Sequence, residues 1–477
     1  MQRSIRNVFL LVTFFILCLI LVQYMLTKQT GSVNKAVNQA ANANSSANIS
    51  NAVYYVSSKD GSDDNDGSEK SPWKTIQKAA DNTAPGDTVY VRGGIYNEKV
   101  SINNSGTKNA YITFKNYDGE TPIINGNNQS VSDDDLENGL IVINEKSFIK
   151  IIGFDVTDYV STNQYGVAGI KVTGASKNVE IRSCKVYGIK TTYAGTTKSR
   201  NAYGIVAYGT NGDSSLDGLV IDNCQIYNCI LGQSESLVLN GNVTNFKVTN
   251  NKVHDNDNIG IDFIGYENTA SKNDYARNGI CTGNQVWNIS TANNKTYDGK
   301  GADGIYVDGG ASIVIERNKV WSTDIGIETA SEHLNKATDG VTVRNNLVYN
   351  CSVSGISMGG SGITNGKATN IKILNNTVYN TDTNMNIQKN CQFNSNVIKN
   401  NIFYGGEAYY GDKGNIVISN NITSDPRFVK TGSDFHLQAN SSAINAGIND
   451  NNIGSVDLDG KKRIVGKKVD CGSYEKQ

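Results

Sequence analysis

Short runs in which apolar and polar residues alternate recur along most of this chain, and they follow two phrases. The first phrase is an alternating run, then two Asn or other small residues, then an apolar–aromatic pair, as in "IVIERNKVWS" from Ile313 and "IKILNNTVYN" from Ile371. The second phrase is Gly-Ile followed by one outward and one inward position, as in "IGIDFIG" from Ile259 and "DGIYVDGG" from Asp303. Because side chains alternate between the two faces of a strand, this pattern predicts two short strands and two turns in each repeat.

The two phrases return at intervals of roughly 20 to 40 residues, which is the range of solenoid proteins. Strands this short bury no apolar face alone, but they do when they stack as rungs, and Asn side chains at the same turn of each rung can then hydrogen-bond to one another. We therefore predict an all-β chain folded as a parallel β-helix. The alternative is a β-sandwich or propeller, which predicts Asn-Gly or Asp-Gly turns at even spacing; here those dipeptides are unevenly spaced.

The segment "SPWKTIQKAADNTAPGD" carries the signals of one short helix. Ser71 suits the N-cap and Pro72 the first helical position. Ile76, Ala79 and Ala80 form one apolar face, and a Pro-Gly pair follows the helix. We expect this helix to cap the open apolar end of the stacked rungs, as terminal repeats must.

The N-terminus carries a targeting signal. Arg3 and Arg6 precede an apolar run over residues 8–22 that is long enough, with its extension, to cross a bilayer as a helix. The positive flank comes first, so we expect an extracytoplasmic protein, membrane-anchored at the cell surface; a secreted protein with a cleaved signal peptide is the alternative. We divide the chain into a signal anchor or signal peptide (1–28), a flexible Asn/Ala/Ser tether (29–52) and a β-helix domain (53–477), with its N-cap and first rungs over 53–125, repeat rungs over 140–425 and a closing segment over 426–477.

Charge and cysteine content exclude several classes of protein. The formal net charge is −1, so no basic field would attract nucleic acid, and we expect a monomer without a nucleic-acid partner. Of the 8 Cys residues, Cys18 lies in the apolar N-terminal run. The others are odd in number and show no Cys-x-x-Cys or Cys/His metal spacing, which indicates buried thiols rather than a disulfide framework.

Both ends of the predicted domain resemble secreted, polysaccharide-active, right-handed parallel β-helix proteins of the pectate-lyase-like superfamily. The N-terminal likeness is carried by "YYVSSKDGSDDNDGSEKSPWKTIQKAADNTAPGDTVYVRGGIYNEKV" from Tyr54. The C-terminal likeness is carried by "DPRFVKTGSDFHLQANSSAINAG" from Asp425 and "DLDGKKRIVGKKVDCGSYE" from Asp457. The resemblance implies a right-handed helix and a polysaccharide partner.

Carboxylates gather on the Gly-Ile rungs. Because the Ile of each phrase points inward, alternation sends Asp262, Tyr306 and Glu328 outward on three consecutive rungs. Asp308 lies two residues further along and also points outward, at a Cα separation of about 8 Å across each diagonal. Acids placed this closely repel each other and raise one another's pKa, as a general acid requires. The alternative is a solvated acidic stripe; Asp303, in the turn before the strand, is predicted to have no catalytic role.

The same rungs favour glycoside hydrolysis. "GIYVDGG" and "DIGIETASEH" resemble the catalytic segments of parallel β-helix β-xylosidases, which implies Asp308 as nucleophile and Glu328 as acid/base, with His333 nearby. The sequence departs from that family at Gly309, where the family has an aromatic residue. We predict a hydrolase that needs no cofactor, with Asp308, Glu328 and Asp262 as its catalytic residues. The aromatic side chains expected to bind sugar in a lateral groove are Tyr208, Tyr266, Tyr306 and Trp321.

Two other functions stay open. "DNDNIGID" resembles the Ca²⁺-binding acids of a pectate lyase family of this fold, which implies Asp255, Asp257 and Asp262 as Ca²⁺ ligands in a lyase that acts by β-elimination. That family carries a Lys on a later Gly-rich rung, whereas "GIYVDGG" has none, so we rank hydrolase above lyase. A non-enzymatic surface glycan-binding protein would need the groove but no functional acids.

Overall fold

The computed structural model describes residues 49–195 and 199–477. The predicted signal segment 1–28 and most of the tether 29–52 lie outside these residues. No helix within the described ranges is long and apolar enough to cross a membrane.

Each full rung contributes strands to three parallel sheets, which confirms the parallel β-helix and corrects the predicted number of strands. The first phrase forms two strands rather than one, because its small-residue pair turns the chain: Ala311–Glu316 and Lys319–Thr323 flank Arg317 and Asn318. The Gly-Ile phrase forms the third strand, for example Ile325–Ala330. A rung therefore has three strands where two were predicted.

The three sheets are built from the following strands of the described residues. Sheet 1 has 17 strands: Val53–Val56, Thr88–Val91, Ile112–Asn116, Ile149–Ile152, Val179–Arg182, Leu216–Asp217, Val220–Asp222, Val243–Thr244, Lys247–Thr249, Arg277–Thr282, Ala311–Glu316, Ala337–Asp339, Thr342–Arg344, Lys367–Thr369, Lys372–Leu374, Val397–Lys399 and Val417–Ser419. Sheet 2 has 11 strands: Gly94–Tyr96, Pro122–Asn125, Asp155–Thr157, Lys185–Tyr187, Gln225–Tyr227, Lys252–Asn256, Gln285–Ile289, Lys319–Thr323, Leu347–Tyr349, Thr377–Tyr379 and Ile402–Tyr404. Sheet 3 has 11 strands: Val100–Ser101, Gly139–Asn144, Val167–Thr173, Ala202–Gly209, Leu237–Gly241, Ile261–Ile264, Asp303–Asp308, Ile325–Ala330, Ser354–Gly359, Thr383–Ile387 and Glu407–Tyr410.

Smaller elements complete the fold. Val160–Ser161 pairs in parallel with Lys190–Thr191, and Phe428–Lys430 pairs antiparallel with Asp434–Leu437. Asp135–Glu137 and Thr291–Asn293 are single 3₁₀ turns.

A ladder of buried Asn side chains holds the turn between sheets 1 and 2. Asn318 donates through Nδ2 to the Asn346 Oδ1 at 3.0 Å and to the backbone oxygen of Cys281 at 3.0 Å. Its own Oδ1 accepts from the backbone N–H and the Nδ2 of Asn284, both at 2.9 Å. The same pattern links Asn346 to Asn376 and onward along the chain. The ladder satisfies polar groups that the turn would otherwise bury without partners.

The Gly of the Gly-Ile phrase stands at a tight corner before sheet 3. A Cβ at Gly304 would lie 2.4 Å from the Val320 Cγ1, and one at Gly326 would lie 2.3 Å from the Val348 Cγ1. This Gly has no partner in the strand register: Asp303 pairs with Ile325, and the next pair is Ile305 with Ile327. The corner thus consumes one residue, and the residue before the Gly lies on the outer face instead of in a turn.

Different elements cover the two ends of the β-helix. Helix Ile76–Asn82 buries the predicted apolar face, but its N-cap is Thr75, whose side chain accepts from the Lys78 N–H at 3.1 Å, rather than Ser71. At the other end, Phe435 packs against the Tyr349 ring of sheet 2 at 5.2 Å between ring centroids. The Cys residues of the described ranges are buried free thiols, as predicted.

Candidate active site

The outer face of sheet 3 brings the predicted acids together in the predicted register. Asp262 pairs with Tyr306, and Tyr306 pairs with Glu328 on the next rung. Asp308 pairs with Ala330, so it lies on the diagonal between the two acids. This arrangement follows from strand alternation and from stacking of equivalent phrases.

The acids are buried although they point away from the core. Asp262 is 2% exposed, Asp308 is 4% exposed and Glu328 is 7% exposed. Loops between the rungs cover this part of the outer face, so these side chains do not form a solvated stripe. Desolvation of a carboxylate is costly, and a protein that keeps several together has a chemical reason or a tightly bound partner for them.

A cavity of about 280 Å³ opens over Asp262 and Asp308. Carboxyl groups and phenol rings dominate its wall, and among the described residues no Lys or Arg lines it. The acids in the wall are Glu235, Asp262, Glu267, Asp308 and Glu332, and the tyrosines are Tyr203, Tyr208, Tyr297 and Tyr306.

Asp308 and Asp262 differ in how their carboxyl groups are held. Asp308 Oδ1 accepts from the backbone N–H of Glu332 at 2.8 Å, which favours its ionised form. Burial and, next, the charge of Glu332 nevertheless raise the pKa of Asp308 well above its usual range. Burial and the charge of Glu235 do the same to the pKa of Asp262, whose Oδ1 has no hydrogen-bond partner among the described residues. The cluster therefore holds protons near neutral pH, and one of its buried carboxyl oxygens is unsatisfied among the described residues.

Asp303 belongs to this cluster, contrary to the prediction that it lies apart in a turn. It is 4% exposed, and its carboxyl group shares a hydrogen bond with that of Glu328. Burial and the charge of Glu328 raise the pKa of Asp303 well above its usual range. Burial raises the pKa of Glu328 to about 7, opposed by hydrogen bonds from Gln388, whose Nε2 donates at 2.9 Å, and from Asp303.

Only some of the predicted sugar-binding residues line the cavity. Tyr208 and Tyr306 line the cavity. Trp321 lies on the outer face of sheet 2, stacked between Trp287 at 4.9 Å and Tyr349 at 5.9 Å, and does not line the cavity. Its ring faces are covered by its neighbours, so it offers a sugar no stacking surface.

Tyr266 and His333 lie beside the cavity rather than in its wall. A Cβ at Gly309 would lie 2.8 Å from the Tyr266 ring, so that ring occupies the space that an aromatic residue at 309 would need. This explains the departure from the β-xylosidase pattern at this position. Burial and, next, the charge of Glu267 raise the pKa of Glu332, and the neighbouring His333 opposes this rise. The His333 Nε2 has no hydrogen-bond partner in the part of the chain described.

The acids expected to bind Ca²⁺ in a lyase do not converge. Asp255 accepts from the His254 Nδ1 at 2.6 Å, and Asp257 accepts from the backbone N–H of Leu231 at 2.6 Å and lines a different cavity from Asp262. Within the described ranges no three His, Cys, Asp or Glu residues are placed to hold a metal ion.

Sequence reasoning missed three acids besides Asp303. Glu235, Glu267 and Glu332 come from loops, where strand alternation says nothing about direction. The only sequence signal was the short distance of Glu332 from Glu328 in "ETASEH".

The comparisons with known proteins agree with the pectate-lyase-like fold. Residues 54–218 match the family described as "Pel9A-like, right handed beta helix region", and residues 236–387 match the "Right handed beta helix region" family. The chain is similar to the uncharacterized protein YwoF of Bacillus subtilis (strain 168), with 38% identity over 386 residues, 80% of this chain and 77% of YwoF. The predicted right-handed parallel β-helix is thereby confirmed.

Two pectate lyases are also similar to it. Pectate lyase PEL9 of Emericella nidulans is 40% identical over 91 residues, which are 19% of this chain and only 22% of PEL9. The crystal structure of pectate lyase Pel9A superimposes with a TM-score of 0.54 and 16% identity, over 89% of this chain and 96% of that one. The fold is thus one that carbohydrate-active enzymes use, while the more specific likeness to β-xylosidases stays a prediction.

Proposed function

The chain belongs to the family of right-handed β-helix proteins that includes YwoF of Bacillus subtilis, and from that premise we propose that it is an extracytoplasmic enzyme that hydrolyses a polysaccharide in the acidic cavity of sheet 3. The observation that carries the proposal is the make-up of the cavity wall. Carboxyl groups line it, and no Lys or Arg of the described residues does. Paired carboxyl groups are the ordinary equipment of glycoside hydrolysis.

The roles follow from the environments of the two central acids. Glu328, with its pKa raised to about 7, holds a proton that it can give to the glycosidic oxygen at neutral pH. Asp308 faces the cavity, and the hydrogen bond that it accepts from the Glu332 N–H favours, against the burial that raises its pKa, the ionised form that would attack the sugar or activate a water molecule. Asp262 takes part as their charge-tuning neighbour: after burial and Glu235, the charge of Asp308 raises the pKa of Asp262. Tyr208 and Tyr306 supply sugar contacts.

Elimination by a lyase is the second candidate, and the comparisons support it better than they support hydrolysis, because two of the similar proteins are pectate lyases. That reaction removes the α-proton of a uronic acid and needs a cation to neutralise the sugar's carboxylate, together with a base. The cavity wall supplies no cationic side chain among the described residues, and its acids would repel a uronate. The wall therefore favours a neutral sugar.

The products formed from neutral and uronic polysaccharides test the proposal. We expect new reducing ends from a neutral polysaccharide, no unsaturated product that absorbs in the ultraviolet, and loss of the reducing-end signal with Asp308→Asn. An unsaturated product from a uronic polymer would overturn hydrolysis in favour of elimination. Binding without any product would indicate a non-enzymatic glycan-binding protein.

A further inference from the structure

A second cavity, of about 610 Å³, lies on the outer face of sheet 3 toward the C-terminus. Uncharged polar side chains form much of its wall, among them Asn386, Gln388, Gln392 and Ser361, and the wall also holds one cation and one acid of opposite charge, Lys389 and Asp412. Tyr410, on the last strand of the sheet, stands beside them and is 60% exposed. The mechanism above uses none of these residues except as neighbours.

The two cavities share one column of outward side chains. Glu328 pairs with Ser357, Ser357 pairs with Asn386, and Asn386 pairs with Tyr410. Rungs are spaced by about 4.8 Å, so Tyr410 lies three rungs, or about 14 Å, from Glu328 along the axis of the helix. A sugar chain lying along the column would pass from Asp308 over Glu328 to Tyr410.

Gln388 joins the second cavity to the acid. Its Nε2 donates to the Glu328 Oε1 at 2.9 Å, and the same residue lines the second cavity. Glu328 lines neither cavity itself, but its strand partner Tyr306 lines the acidic cavity and its hydrogen-bond partner Gln388 lines the second one, so Glu328 connects the two walls. A general acid must lie next to the leaving group, since it protonates the oxygen that departs.

We propose that the second cavity binds the leaving-group portion of the substrate as uncharged sugar units. Amide side chains both donate and accept hydrogen bonds, as sugar hydroxyl groups require. The exposed Tyr410 ring offers an apolar surface with a polar tip, which suits a sugar face. This assignment rests on the proposed hydrolysis, because that reaction makes Glu328 the point where the chain is cut.

Binding to an inactive enzyme tests the assignment. Calorimetry of Asp308→Asn with neutral xylo-, cello- and galacto-oligosaccharides of increasing length should show affinity that rises with length for one series. Adding Tyr410→Ala should weaken binding of the long members about tenfold, roughly the loss of one good contact, and leave the short members unchanged. Tyr117→Ala is the matched control, because Tyr117 is a half-buried tyrosine that follows a sheet 1 strand, and it should change nothing.

Two results would overturn the assignment. One is undiminished binding of long oligosaccharides by the Tyr410→Ala protein, and the other is failure of every neutral series to bind. Failure of the hydrolytic function looks different: the active enzyme would then give an unsaturated product, or none, while Tyr410→Ala still weakened binding.

Discussion

Asp303 and Glu328 lie on a diagonal between neighbouring strands of sheet 3, and their carboxyl groups share a hydrogen bond. Two buried acids in contact cannot both ionise, so their pKa values are driven apart. Asp303 has the pKa raised well above its usual range and holds the shared proton, while Glu328 titrates at about 7. An acid with this pKa can donate a proton and recover it at neutral pH.

Substitutions of Asp303 should move the pH dependence of turnover. Asp303→Ala removes a hydrogen bond that lowers the pKa of Glu328, so the alkaline limb of the kcat profile should move to higher pH. Asp303→Asn keeps a donor at the same place and should leave the limb nearly where it is. The pH profiles of the three proteins on one substrate give the comparison; equal limbs in all of them would remove Asp303 from the site.

Asp308→Asn should lower turnover by roughly 10³-fold, because an essential group is lost. It should not lower stability, since the change removes a carboxyl group from a crowded acidic cluster. Asp118→Asn, at an exposed turn after a sheet 1 strand, is the control and should have normal kcat. Near-normal turnover by Asp308→Asn would contradict the proposed mechanism.

Stability should fall as the pH rises through neutrality. The folded state raises the pKa of Glu328 from an ordinary 4.5 to about 7, so it binds a proton that the unfolded chain has already released. The stabilisation is complete below about pH 4.5 and is lost as the pH rises through about 7, on the order of 3 kcal/mol for this group. Thermal unfolding at about pH 5 and about pH 8 should show a smaller difference for Glu328→Gln than for the parent protein. A larger difference for Glu328→Gln would show that the sign is wrong.

Removing an Asn from the middle of the ladder should be costly. Asn318→Ala takes away the acceptor of the Asn284 backbone N–H and the hydrogen bonds that Asn318 Nδ2 donates to Asn346 and to the backbone oxygen of Cys281, while the backbone N–H of residue 318 still donates to Asn346. We expect a loss of roughly 3 kcal/mol in the free energy of unfolding, measured with urea. Asn421→Ala, at the half-buried end of the ladder, should cost clearly less; equal losses would argue against a cooperative ladder.

Chelation should leave turnover unchanged, because the proposed proton transfers between carboxyl groups and sugar need no ion. Rates with and without a chelator, followed by added Ca²⁺, provide the measurement. Loss of activity that Ca²⁺ restores would revive the lyase assignment and require Asp255, Asp257 and Asp262 to move together.

The alternation of apolar and polar residues and the repeated phrases were enough to predict the repeating fold and the central part of the site. Alternation with period 2 decides which side chains point inward, and equivalent phrases stack in register because a shift by one residue would expose the apolar set. That argument alone placed Asp262, Tyr306, Glu328 and Asp308 on one outer face, and the observed pairings agree.

Contacts between segments distant in sequence determine which acids form the cluster and how burial raises their pKa values. Loops that alternation does not govern brought Glu235 and Glu332 to the cavity and buried the outer face, and burial is the largest cause of every raised pKa there. At the corner, Gly304 lies against the Val320 side chain of another sheet, where a Cβ at residue 304 would collide. Asp303, the residue before it, therefore faces outward. Orientation at corners and burial under loops depend on residues distant in sequence, so no local pattern carries them.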